Sequence, residues 1–378
     1  MAKAREIEGL DCGADAASGI RLVLSSRIDE TLAYRDAALV AEDPEGVHDM
    51  RVASRRLRSA LRDFAPHMND KRVAGVRVEL KKLADALGRV RDIDVEAAAL
   101  EEAAREAPET VRAGVEELAR ARLAGSAEAR EELARELGED GLARLREEFA
   151  DALANALDAA RERRKGKGGG GAGRRGGSFG EVGRQVIVAR WEELRERAGS
   201  LYRPFKTKRL HKTRISAKRL RYALELFTPC MGDELKDFAR EVAHLQKSLG
   251  EVHDCDEWIA SLGVGLAKRE RDAADDAKSP DAGARAGRAE TSAWLFDHFV
   301  ERRNLHYREA FARWRAWGRE DFESRLRACV SGRGSEGVRA AAEGEAAEGV
   351  DGEEPGKRRP RRSAKASRGG RESSKVAN

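Results

Sequence analysis

"LHKTRISAKRLRYALELFTP", residues 210–229, matches "VHDMRVASRRLRSALRDFAP", residues 47–66, at nine of twenty positions with a constant offset of 163. His, Arg, Arg-Leu-Arg, Ala-Leu, Phe and Pro recur at identical spacing. On a wheel of 100° per residue, Met50, Leu57, Leu61 and Phe64 gather on one side of the first copy, with Ala53 and Ala60 beside them. His48, Arg51, Arg55, Arg58 and Arg62 fill a different arc of about 80°, a stripe about 21 Å long at 1.5 Å per residue. The second copy repeats it with His211, Arg214, Lys218 and Arg221, and breaks it at Glu225, where the first has Arg62. Like charges at this spacing cost a few tenths of a kcal/mol per pair. A basic face is ordinarily just a solvated face; two copies of it argue for more.

The repeat extends beyond this helix. "LADALGRVRDIDV" (83–95) matches "LQKSLGEVHDCDE" (245–257) at offset 162, keeping Leu, Leu-Gly, Val and Asp-x-Asp. Two blocks in the same order at nearly the same spacing imply a duplicated unit. Each half then offers a first helix (20–41; 180–200), the His/Arg helix (46–64; 208–227), a helix with the Leu-Gly motif (70–100; 232–262) and at least one later helix. Four antiparallel helices per half bury one apolar stripe from each. Gly88 and Gly250 are expected to permit close helix contact, since glycine inside a helix otherwise costs about 1 kcal/mol. The Asp-x-Asp residues, Asp92/Asp94 and Asp254/Asp256, are expected to orient Arg56, Arg219 or their neighbours.

Composition agrees with an all-α chain. Of the 378 residues 37% are charged and 5% aromatic, and no alternating Val/Ile/Thr run argues for a sheet. Prolines fall at apparent segment ends: Pro44, Pro66, Pro108, Pro204, Pro229 and Pro280. "KGKGGGGAGRRGGS" (165–178), with eight glycines in fourteen residues, reads as a flexible linker. It separates a first helical half (15–164) from a second (179–330), behind an N-terminal extension (1–14). Residues 331–378, acidic and then basic in "KRRPRRSAKASRGGR", are poor in large apolar side chains and read as disordered. That tail holds 11 Lys/Arg and 8 Asp/Glu, which leaves 62 and 60, a net of +2, for residues 1–330. Bulk charge is therefore a weak argument for an anionic partner, and placement carries the case.

No apolar run approaches the roughly 18 residues that span a bilayer, and no signal-peptide core opens the chain. Cys12, Cys230, Cys255 and Cys329 lack CxxC spacing, which suits reduced thiols in a cytoplasm better than a disulfide framework or zinc site.

The pattern H-x-x-R-x-x-x-[RK]-R-L-R-x-x-L-x-x-F, present twice and each time followed by L-G-x-x-x-D-x-D, resembles the CHAD family, the conserved histidine α-helical domain, over 15–330. The resemblance implies duplicated four-helix bundles about a pseudo-two-fold axis, basic helices lining a central cleft or pore, and binding of inorganic polyphosphate. It implies binding positions at His48, Arg51, Arg55 and Arg58, and at His211, Arg214, Lys218 and Arg221. Arg56 and Arg219 fit the motif although the wheel turns them aside. Arg62, Lys208 and, on adjoining helices, Lys81, Lys82, Arg89, Arg91 and Lys247 are further candidates. His253 stands where the first half has Arg91, so it is cationic there only when protonated. No catalytic residue, metal ligand or cofactor is expected. Polyphosphate presents a row of negative charges and no sequence, which guanidinium forks and ammonium groups suit. The implied setting is cytoplasmic, at polyphosphate granules.

Rival readings are a metal-dependent phosphohydrolase, histidine phosphotransfer and non-specific nucleic-acid binding, for which the basic tail would also serve. His48-Asp49 and His253-Asp254 look like His-Asp dyads, but Asp49 corresponds to Lys212 and His253 to Arg91. The duplication keeps His and Arg instead, and arginine is a poor neighbour for a metal cation. Aromatic residues are nearly absent from the stripe, which argues against a stacking platform along it.

Overall fold

A computed structural model describes residues 4–40, 43–166, 177–276 and 282–332. The glycine-rich stretch 167–176 and the tail from 333 onward, both read as unstructured above, lie outside the described residues. No strand occurs among the described residues, and the protein is all-α.

The first half is α1 (Ala16–Leu32), α2 (Arg35–Leu39), α3 (Pro44–Asp63), α4 (Ala74–Glu106), α5 (Glu109–Leu123), α6 (Ser126–Glu136) and α7 (Glu139–Gly166). The second is α8 (Phe179–Ala198), α9 (Thr207–Met231), α10 (Glu234–Asp276), α11 (Ala282–Arg319) and α12 (Phe322–Val330). The single first helix expected over 20–41 is two. The chain turns at Ala33 and Tyr34 so that α2 can lie against the start of α3, where a Cβ on Gly46 would sit 2.1 Å from the Ala37 carbonyl oxygen.

Local chemistry starts the helices. Asp15 caps α1 by accepting from the Ala17 and Ser18 amides, and Ser178 with Glu181 forms a capping box on α8. Asp43 caps α3, whose first residue is Pro44, a position where a missing N–H costs nothing. Asp15 and Ser178 are 163 residues apart and form an isolated antiparallel bridge. Its two bonds, Ala16 N–H to Gly177 O at 3.2 Å and Phe179 N–H to Ala14 O at 2.9 Å, exchange under the same offset. Equivalent positions of the two halves therefore meet across a local two-fold relation.

The core follows that relation. Phe64 and Phe227, again 163 apart, pack edge to face at 6.2 Å, with Phe179 against both. All three rings are fully buried. One hydrophobic cluster runs from α1 to α12 through both halves, so the halves share a core. A smaller cluster joins Leu100, Val111 and Val115 of α4 and α5 to Cys255, Leu295 and Phe299 of α10 and α11.

Close approach falls at other glycines than those expected. A Cβ on Gly19 would meet Phe179 at 2.4 Å and one on Gly183 would meet Phe227 at 2.5 Å. Gly88 faces open space, and Gly250 meets only the Arg214 side chain at 3.6 Å.

The expectation of four reduced thiols is corrected for two of them. Cys12 and Cys230 form a disulfide across 218 residues, pinning the N-terminal segment to the end of α9, while Cys255 and Cys329 are free and buried. No local spacing announces a pair brought together by tertiary packing. Thiol titration of the unfolded, unreduced chain is expected to count two thiols; finding four would show that the bond does not form.

Candidate functional site

Helices α3 and α9 pack against each other, and their stripes face one another. Arg51 lies beside Arg55 and Arg91 of its own half and Arg214 of the other. Lys218 lies among Arg214, Arg55, Arg51 and Arg221. Arg51 and Arg214 are equivalent under the offset, as are Arg55 and Lys218, so each cation meets its counterpart. Two carboxylates reach this group: Asp92 accepts from Arg51 Nη2 at 3.2 Å, and the largely buried Asp254 lies near Arg214, Lys218 and Arg51, its pKa raised first by burial. Among the described residues no ion pair engages Arg55, Arg58, Arg91, Arg214 or Lys218. Buried polar atoms are left over: Arg55 Nε, Arg214 Nε and His211 Nδ1 have no hydrogen-bond partner.

The electrostatics follow from this crowding. Burial, then the Arg214, Arg55, Arg51 and Arg221 guanidiniums, push the Lys218 ammonium down to about 7. Burial and the neighbouring Arg55 lower the Arg51 pKa. The His211 ring sits 4.1 Å from that of His253, centroid to centroid. Both are pushed below the ordinary histidine range, first by burial, then for His211 by His253 and for His253 by Arg214. His48, the counterpart of His211, is lowered by burial and then by Arg91. One end of the cluster thus carries a permanent guanidinium where the other carries an imidazole.

The remaining candidates divide. Arg62 extends the cluster beside Arg219, Arg190 and Arg58. Arg221 is buried, pairs with Glu225 at 3.3 Å and lies over the Tyr222 ring. Arg56 and Arg219 are drawn into protein pairs, with Glu30 at 3.9 Å and with Glu193. Arg89 pairs with Glu132 and Lys81 with Asp85, while Lys82 bonds Glu79 at 2.9 Å, so these three are engaged away from the cluster. Lys247 lies near Glu309, and Lys208 is exposed in the first turn of α9.

The Asp-x-Asp residues do not hold Arg56 and Arg219. Asp92 takes Arg51, Asp94 lies 3.8 Å from Arg130, and Asp256 takes Arg303 at 2.5 Å. The arginine pairs belong to carboxylates on the first long helix of each half, α1 and α8. Arg27-Glu30-Arg56 and Arg190-Glu193-Arg219 are the same triad repeated at offset 163. Arg-x-x-Glu at 27–30 and 190–193 was the available signal. Arg190 also crosses between halves to Asp63 at 2.7 Å, and burial raises that carboxyl to about 6 against the pull of Arg190.

Comparisons with known proteins bear on the fold. The CHAD domain crystal structure from the plant Ricinus communis aligns with a TM-score of 0.61 at 21% identity, covering 82% of this chain and 95% of that one. PptA from Streptomyces chartreusis aligns with a TM-score of 0.57 at 13% identity, covering 80% and 100%. At these identities the likeness is one of fold. An uncharacterized protein of Mycobacterium tuberculosis is 37% identical over 79 residues, 21% of this chain but only 15% of that longer relative. The CHAD domain family itself matches residues 22–263. The chain belongs to the CHAD domain family.

Proposed function

We propose that this protein binds inorganic polyphosphate without hydrolysing it, along one shared site formed by the facing stripes of α3 and α9, and thereby associates with polyphosphate deposits. The observation that carries the reading is the meeting of Arg51 with Arg214 and of Arg55 with Lys218, cation against equivalent cation, with an ion pair on Arg51 only among the four and the nearby Asp254 carboxylate outnumbered. Like charges held together at half-buried positions favour a polyanion that neutralises several at once. The test is a competition between long-chain polyphosphate, DNA and RNA for the purified chain, run over a salt series and alongside a phosphate-release assay. Polyphosphate is expected to win, with affinity falling steeply as salt rises because counterions are released. Metal-dependent phosphate release abolished by His253→Ala would replace this reading with a phosphohydrolase.

Protons enter the same equilibrium. Folded Lys218 titrates near 7, well below a free lysine, so between about 7 and 10.4 the unfolded chain binds more protons than the folded one. Stability contributed by this group is therefore lowest below pH 7 and rises with pH through that window. A bound polyanion favours the ammonium, so binding above pH 7 takes up a proton. Titration calorimetry at pH 8 in buffers of different ionisation enthalpy is expected to show net uptake, reduced in Lys218→Arg. A heat independent of buffer would remove Lys218 from the site.

A further inference from the structure

Residues 197–224 hold ten Lys/Arg and no Asp or Glu in a chain with 68 acidic residues. Comparison of the two copies places this bias at the start of the second. Asp43, Glu45 and Asp49 at the start of α3 correspond to Lys206, Lys208 and Lys212 at the start of α9, and Leu39 corresponds to Tyr202. The central cluster does not need these cations, because its members begin at His211.

The loop leading into α9 is held from beneath. Arg303, buried and paired with Asp256, donates to the Pro204 carbonyl at 2.6 Å. The Tyr307 hydroxyl donates to the Leu201 carbonyl, and the Tyr202 ring is set edge-on to Phe311 at 5.2 Å. On this fixed backbone Phe205 is 86% exposed and Tyr202 62% exposed. Inorganic polyphosphate has no flat apolar face, so exposed rings give it nothing. A nucleobase has such a face, and stacking on a ring carried by a backbone already held in place loses less entropy on binding.

We propose that this loop is a second binding site, for single-stranded nucleic acid, with bases stacking on Phe205 and Tyr202 and the phosphate backbone following Lys206, Lys208, Arg209 and Lys212. A protein partner is the other occupant to consider. Two rings amid unrelieved positive charge suit a base-bearing polyanion better, since protein interfaces are depleted of lysine at their apolar centre.

The experiment measures binding of the full chain to a short single-stranded oligonucleotide, to an abasic phosphodiester of equal length, and to inorganic polyphosphate. The base-bearing strand is expected to bind about tenfold more tightly than the abasic one. Phe205→Ala should erase most of that difference, Tyr202→Ala should reduce it, and Phe205→Trp should retain it. Polyphosphate affinity should be unchanged in Phe205→Ala. Because Phe205 is solvent-exposed, its substitution leaves the core intact, which thermal melting checks. Equal affinity for the two strands, or a difference that survives Phe205→Ala, would overturn the proposal and leave the loop to a protein partner. The outcome is independent of the polyphosphate reading: failure there appears as no polyphosphate binding in the unsubstituted chain, whatever the oligonucleotides do.

Discussion

Charge reversal in either copy of the stripe is expected to disable the whole site. Arg51→Glu with Arg55→Glu removes two cations on α3, and Arg214→Glu with Lys218→Glu removes their counterparts on α9. If each stripe bound its own polymer segment, one double variant would leave full-affinity binding at half the stoichiometry. The observed neighbours argue otherwise, since Lys218 of one half lies against Arg51 and Arg55 of the other. Charge-assisted contacts are each worth about 1.5–3 kcal/mol. Two lost contacts therefore lower affinity by about two decades or more, and the new carboxylates add repulsion. Calorimetry with a short polyphosphate of defined length reads both affinity and stoichiometry. Circular dichroism confirms that the variants remain helical. Half-stoichiometry binding at undiminished affinity in either double variant would refute the shared site.

The second large effect is on stability. Glu30 is 1% exposed, accepts from Arg27 Nη1 at 2.5 Å and from the Arg5 amide at 2.9 Å, and lies 3.9 Å from Arg56. Glu30→Ala leaves two buried guanidiniums without their shared carboxylate, and removing one partner of a buried pair costs about 3–5 kcal/mol. The equivalent Glu193→Ala should cost less, about 1–3 kcal/mol. Its partners Arg190 and Arg219 are 18% and 23% exposed, so water takes over part of the solvation, and Arg190 keeps Asp63. Urea denaturation of the two variants against the unsubstituted chain measures both losses. A Glu30→Ala loss no larger than that of Glu193→Ala would mean that the first triad is not the more deeply buried charge network it is taken to be.

The two triads also mark how far the residues could be read without the fold. Helical period separates each stripe into an apolar side and a cationic side, because in a helix that separation is fixed by rotation per residue. The all-α class, and the side of the helix on which His48, Arg51, Arg55, His211, Arg214 and Lys218 stand, were therefore legible in the sequence.

Partner choice was decided by tertiary structure. Arg55 and Arg56 are adjacent, and both fit the family motif. Arg55 points into the cluster, whereas Arg56 turns by one helical step to the buried Glu30 of α1. Asp92 and Asp94, two residues apart, serve arginines 41 and 36 positions away on opposite sides. The Cys12–Cys230 bond, the facing of Phe64 and Phe227, and the sharing of one core by both halves likewise join groups far apart along the chain. Local periodicity fixes the direction in which a side chain leaves its own helix. Which helix stands there to receive it is set by burying every apolar stripe at once, a condition no single stretch of sequence contains.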